Sequence, residues 1–357
     1  MNHTEQDVLA ALAGVMDPEL HISLVKAGMI KDIKTDGGKV RFKIELTTPA
    51  CPLKGKIQMD TENALRKAGI SDFAIEWGAR VREAPMGVSK DQLIPGVKNV
   101  VLVGAGKGGV GKSTVALNLA VALQRCGAKV GLLDTDFYGP SVPLMTGIKR
   151  RPTSKDGKTM DPMEAHGLKV MSIGFLVEPD QALIWRGPML HGALMQLVRD
   201  VNWGELDYLV LDLPPGTGDV ALTLSQNVRA AGAVLVTTPQ DVALADVVRA
   251  KQMFDKVQIP VLGIVENMSQ FVCPHCQGKT AIFHHGGGRK ASEAFGVPFL
   301  GEIPLELKVR EGGDAGVPIV AGHPDSPEAQ AFMEMAKNIA GRISTVNMAS
   351  VKLPVMA

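Results

Sequence analysis

The chain has 357 residues, enough for two or three domains, and its 45% hydrophobic and 21% charged content is that of an ordinary globular protein. A formal net charge of +1 gives no bulk attraction to nucleic acid or to an anionic membrane, so neither is expected as a partner. No apolar run approaches the roughly 18 residues needed to span a bilayer, and the opening MNHTEQDVLA lacks the charged and apolar regions of a secretory signal.

Residues 1–85 read as a small separate α/β domain. Thr4-Glu5-Gln6-Asp7 has the form of a capping box, with Asp in the place usually held by Glu, and an apolar helix follows. Asp17-Pro18-Glu19 is expected to end that helix. Residues 29–33 and 40–46 alternate apolar with polar around Asp36-Gly37-Gly38, the pattern of a hairpin. A helix is expected over 56–68 and a last strand over 73–81. Between hairpin and helix lies TTPACP, residues 47–52. A cysteine near a helix N-terminus has a lowered thiol pKa, which favours nucleophilic or metal-ligand chemistry for Cys51; a buried structural cysteine is the alternative. The DPEL turn and the TTPACP loop together resemble the SufT-like domain of iron–sulfur assembly proteins. Residues 86–97 carry glycine, proline and charge without a period and read as a linker.

From 98 to 345, apolar strands alternate with helical segments, which predicts a mainly parallel sheet covered by helices. Strands are expected at 99–104, 129–134, 168–173, 207–212, 232–237, 260–265 and 298–302, with ligand chemistry at their C-terminal ends. The first runs into Gly106, Lys107, Gly108, Gly109, Val110, Gly111, Lys112, Ser113 and Thr114, and a helical pattern follows over 115–124. Strand, glycine loop and helix in that order form a phosphate-binding loop. Glycines let N–H groups curl around phosphate oxygens, and the helix N-terminus adds partial positive charge. Lys112 reaches the β- and γ-phosphates, and Ser113 holds Mg2+. Beside this loop, the four cysteines (Cys51, Cys126, Cys273, Cys276) suggest a reducing cytoplasmic setting, where cysteines bind metal or stay free. Cys126, at a helix end, is expected to be structural.

Lys107 makes the loop resemble the deviant Walker A loop of the family that includes ParA, MinD and the nitrogenase iron protein. That resemblance implies an ATP-dependent homodimer, with Lys107 crossing to the partner's nucleotide. Next comes DTDFYGPS, residues 134–141, where two carboxylates just past a strand can face the metal and the γ-phosphate. The resemblance gives Asp136 the positioning of the attacking water and leaves Asp134 to support metal and loop. In DLPPGTGD, residues 212–219, Asp212 ends an apolar strand as a Walker B carboxylate holding Mg2+, and Gly216 can offer its N–H to the γ-phosphate. The amide of Asn267 has the donor and acceptor needed for the adenine edge, a base contact that the family implies for its NM motif.

Cys273-Pro274-His275-Cys276 presents two thiolates to one metal. Three readings stay open: half of a four-thiolate [4Fe–4S] site completed by a second chain, a zinc site finished by His284 and His285, or redox and inert thiols. The deviant loop, DTDFYGPS, WRGPM (185–189), DLPPGTGD, ENMS and CPHC together resemble the Mrp (ApbC) iron–sulfur carrier ATPases. The resemblance implies an ATP-hydrolysing carrier that passes a cluster from scaffold proteins to apo iron–sulfur proteins. Trp185, Arg186 and Pro188 have no assigned role, and His284-His285 departs from the family pattern. The rivals are a ParA- or MinD-like positioning ATPase and a zinc-containing regulatory ATPase. A docking helix is expected over 326–343, with Ala329, Phe332, Ala336, Ile339, Ala340 and Ile343 as its apolar stripe, and 346–357 as a tail.

Overall fold

A computed structural model describes residues 3–84, 94–177 and 187–349, apart from 217, 219–221, 225, 226, 274 and 277. Trp185 and Arg186 lie outside the described residues, as does most of the expected linker. The chain divides into two compact units, one made of residues up to 82 together with those from 340 onward, the other of residues 83–339.

The first unit opens with α1 (Glu5–Leu12). Its capping box is complete: the Thr4 N–H donates to the Asp7 carboxylate at 2.8 Å, and the Asp7 N–H donates to the Thr4 hydroxyl at 3.2 Å. Aspartate therefore does the work of the longer acid. The helix ends at Leu12, before Asp17-Pro18-Glu19, which corrects the expected boundary. Asp17 instead closes β1 (Met16–Asp17) and turns the chain into β2 (Ile22–Ser23), its carboxylate accepting the N–H groups of Glu19 and Leu20. Strands β3 (Ile30–Asp36) and β4 (Lys39–Leu46) form the hairpin, with Gly37 and Gly38 both at positive φ in the turn. Helix α2 (Lys54–Lys67) then crosses to β5 (Phe73–Ala79), which pairs parallel to β4. Val8, Leu12, Phe42, Ile44, Ile57 and Leu65 fill the space between these helices and the sheet.

The second unit is built on one sheet of nine described strands. Its centre is β6 (Val97–Gly104), flanked by β10 (Leu206–Asp212) and β11 (Ala230–Thr237). Beyond β10 lie β7 (Val130–Asp134), β9 (Leu168–Ser172) and β8 (Met163–Ala165); beyond β11 lie β12 (Val261–Val272), β13 (Lys279–Thr280) and β14 (Phe299–Leu305). The pairings are parallel except β8 with β9 and β12 with β13, so the expected mainly parallel sheet is present. Central strands are near-continuous apolar runs because both faces are covered. Helix α3 (Lys112–Arg125) follows the glycine loop directly and is buried along most of its length.

Helices α4 (Val142–Thr146), α5 (Gly187–Arg199), α6 (Asp241–Lys256), α7 (Gly287–Phe295), α8 (Leu307–Asp314) and α9 (Ile319–Gly322) complete this unit. Strand β12 continues to Val272, past the end expected at residue 265. Met268 takes a positive φ of 57°, and the register with β14 shifts between Asn267 and Phe271. A bulge there lets the strand continue where the sequence suggests an end. The last helix, α10 (Pro327–Ala349), buries every residue of its expected stripe. It passes through both groups of residues, with 340 onward counted in the first unit.

Candidate functional site

Three strand ends and the glycine loop meet in the second unit. Register pairs Asp212 of β10 with Asp134 of β7 and with Val103 of β6, so two carboxylates stand beside the loop that leaves β6. The Lys112 Nζ donates to Asp212 Oδ1 at 2.5 Å and lies 3.3 Å from the Ser113 Oγ. Lys112 is 6% exposed and Asp212 fully buried, an ion pair held almost without water. Asp212 is pushed above the usual carboxylate range by burial, against the pull of the Lys112 ammonium and the Ser113 hydroxyl. Its other oxygen, Oδ2, is buried with no hydrogen-bond partner. A buried carboxylate oxygen without a hydrogen-bond partner and a serine hydroxyl near it are two oxygen ligands of the kind Mg2+ takes, with the rest of its shell left to phosphate and water, so the residues fit that ion.

Asp134 is equally buried, and burial together with the charge of Asp212 raises its carboxyl to about 7. It accepts from the Asp136 N–H at 3.0 Å, the Val142 N–H at 3.3 Å and the Ser172 hydroxyl at 2.9 Å. Thr135 ties the same turn to β10 through two bonds to the Asp212 carbonyl, from its N–H at 3.0 Å and its hydroxyl at 2.8 Å. Asp136 is 9% exposed, and its Oδ1 accepts the Tyr138 and Gly139 N–H groups. The turn is thus fixed from both sides, and Ser172 and Thr135 are the residues that sequence reading missed. A polar residue between Met171 and Ile173 in the strand expected at 168–173 was the available signal for Ser172.

The loop itself depends on two close approaches. A Cβ on Gly106 would collide with the backbone of Asp246 in α6. One on Gly111, which has a φ of +79°, would collide with Asn267 Nδ2. Only glycine fits either position. Gly108 and Gly109 are exposed, Lys107 and Ser113 half-exposed, and Val110 buried. Asn267 is 6% exposed, and its Nδ2 donates to the Val110 carbonyl at 2.9 Å, so β12 holds the glycine loop directly. The Gly216 N–H donates to the Ala105 carbonyl at 2.9 Å, a bond that must open before it can serve a phosphate.

Strand β12 then leads to the cysteine pair. Both are free; Cys273 is partly buried and Cys276 exposed. The Cys273 thiol is held below its ordinary range by the backbone N–H of Cys276, then that of His275, then the Cys276 side chain. Its ionised form is favoured, as metal ligation needs. The zinc reading within one chain is not met among the described residues. His285 pairs its Nε2 with Glu302 at 2.9 Å, and neither histidine joins the cysteines in a three-ligand group. Cys51, in the first unit, departs from expectation. Burial raises its thiol to about 11, and the charges of Glu19 and Asp17 add to that, against the N–H groups of Leu53 and Lys54 at the start of α2. The helix terminus is outweighed by the core against which Cys51 packs.

Among the described residues no helix is long and apolar enough to cross a membrane. The model of the NUBPL iron-transfer P-loop NTPase family matches residues 96–340, and that of an iron–sulfur cluster assembly protein family matches residues 5–72. The chain is 52% identical over 98% of its length to an iron–sulfur cluster carrier protein of Deinococcus radiodurans, covering 99% of that protein. It is 49% identical over 96% of its length to one of Synechocystis, covering 98% of that protein. Its fold is similar to that of a nucleotide-binding protein of Archaeoglobus fulgidus solved with ADP and with cobalt found. That similarity has a TM-score of 0.59 at 37% identity, over 69% of this chain and 98% of the other. With more than half of its residues matched and full-length relatives at this identity, the chain belongs to the NUBPL iron-transfer P-loop NTPase family.

Proposed function

We propose that this protein is an ATP-hydrolysing carrier that holds an iron–sulfur cluster on Cys273 and Cys276 and passes it to apoproteins. The observation that carries the reading is a single strand. β12 holds the glycine loop through Asn267 and runs directly into Cys273, so nucleotide chemistry and a thiolate pair share one rigid element. Curated relatives that match almost end to end are named as cluster carriers.

In this reading Lys112 and the N–H groups of residues 106–114 bind the phosphates, and Asn267 turns its remaining amide capacity to the base. Ser113 and Asp212 would hold Mg2+, which would neutralise charge at the phosphates. Asp136 has Oδ1 tied into its turn, which leaves Oδ2 to orient water. Lys107, half-exposed at the loop's edge, reaches the nucleotide of a second chain in a homodimer. The Gly216 N–H leaves Ala105 for the γ-phosphate, giving a loop whose shape follows the nucleotide.

The cargo is a [4Fe–4S] cluster shared between two chains, because one CxxC gives two thiolates and such a cluster takes four. Residues 1–85 form a SufT-like domain and 98–345 the ATPase domain of a cytoplasmic protein. It receives the cluster from scaffold proteins and delivers it to apo iron–sulfur proteins, without nucleic acid or membrane partners. Anaerobic reconstitution tests the reading. The chain should carry about four irons per two chains, and Cys273→Ser should lose the cluster while nucleotide binding persists. A monomer that holds a full cluster, or a doubly substituted pair that still binds one, would refute it.

A further inference from the structure

The segment that returns from the cysteine pair to the sheet ends in a second group of metal-ligating side chains. Glu266 on β12 and Glu302 on β14 occupy paired positions of neighbouring parallel strands. His285, just before α7, brings its ring to the same place, and the ligand atoms of all three lie within 4.8 Å of one another. The His285 Nε2 and a Glu302 carboxylate oxygen are 2.9 Å apart. Two ligands about 2.1 Å from an ion on adjacent octahedral positions lie roughly 3 Å from each other, so this pair already has the bite of a chelate.

Glu266 is fully buried and fixed: one oxygen accepts the Gly286 N–H at 3.0 Å, the other the Gly288 N–H at 2.6 Å. A Cβ on Gly288 would meet the Glu266 side chain at 3.0 Å, so a larger residue there would press on the carboxylate. Backbone donors of this kind orient a ligating carboxylate from behind and leave each oxygen a further lone pair. Glu302 and His285 are both close to 40% exposed, so an ion can enter from solvent. Two acids at opposed strand positions repel each other, and a cation between them turns that cost into ligation.

We propose that Glu266, His285 and Glu302 form a mononuclear site for a divalent first-row transition ion, separate from the cysteine pair. The imidazole selects manganese, cobalt, zinc or ferrous iron over Mg2+ and Ca2+, which prefer all-oxygen shells. Three protein ligands leave the remaining positions to water. The ion takes the place of the hydrogen bond between His285 and Glu302 and joins β12, β14 and the segment leading into α7.

The test is a Co2+ titration of the full-length chain carrying Cys273→Ser and Cys276→Ser, without nucleotide, followed by visible absorption and equilibrium dialysis. About one equivalent should bind with the weak visible bands of nitrogen and oxygen ligation, and a large excess of Mg2+ should not displace it. Adding His285→Ala should weaken binding at least tenfold. Glu302→Gln alone, a conservative change at a half-exposed position, should do the same while leaving circular dichroism unchanged. Unaltered Co2+ binding in those variants would place the ion elsewhere and overturn the proposal. So would a well-folded parent chain that binds no Co2+, since His285 and Glu302 would then be an ion pair only, and displacement by Mg2+ at matching concentration would overturn the assigned ion class.

Discussion

Asp136 and the two kinds of cysteine show how position overrides residue type. Asp136 spends Oδ1 on the N–H groups of Tyr138 and Gly139, so its turn keeps its shape without help from a nucleotide. Asp136→Asn, which keeps an Oδ1 acceptor for those two N–H groups, should therefore retain ATP affinity while hydrolysis falls by about 10²–10⁴. Phosphate release measured beside nucleotide binding checks this, and wild-type turnover would remove the water-orienting role. Cys51 and Cys273 carry the same thiol in opposite settings, burial raising the first to about 11 and backbone donors lowering the second. Alkylation followed by peptide mass spectrometry should find Cys273 labelled at neutral pH. Cys51 should react only as the pH climbs toward 11; equal rates at neutral pH would contradict this. Sequence position alone suggested the reverse for Cys51, because a helix N-terminus is visible in a sequence and a core wrapped around it is not.

At the scale of elements, β12 is the part that carries furthest. Asn267→Ala removes the bond to the Val110 carbonyl and leaves that carbonyl buried without its donor. The loss of roughly 1–1.5 kcal/mol from one such bond should weaken ATP binding by about 5–10-fold. Isothermal titration reads it directly; unchanged affinity would mean that the loop holds itself. Legibility followed the range of the interactions. The glycine loop, α3 and the carboxylates ending β7 and β10 were plain, since each is a local pattern that needs only its own neighbours. The full length of β12 was hidden because its continuation depends on a bulge at Met268. Strands β8 and β13 are three and two residues long at the sheet's margins, too short to show a period. Ser172 holding Asp134, and Glu302 beside His285, join residues far apart in sequence, and only the register of neighbouring strands brings them together.

At the scale of the whole molecule, the pH dependence of stability has a source outside the nucleotide site. Burial, then the charge of Asp17, raises the Glu19 carboxyl from 4.5 to about 7. The folded state holds this proton more tightly than the unfolded chain, so the contribution is complete below pH 4.5 and is lost as the pH rises through 7. Glu19→Gln should flatten that slope and leave the variant more stable above pH 7, by about 1 kcal/mol once solvent screening is allowed for. Urea unfolding on the acid and alkaline sides of that window separates the two states; a variant less stable than the parent on the alkaline side would reverse the sign. The Glu19 carboxylate also fills the space that a Cβ on Gly341 would need, and Asn347 donates to the Arg82 carbonyl at 3.3 Å. The first unit therefore takes in residues from both ends of the chain. A ribosome adds about 5–20 residues per second, so the opening segment emerges on the order of 10–50 s before the one that completes it. Residues up to 82 are thus made well before the C-terminal residues that share their unit, and a chain interrupted before 340 lacks those contacts.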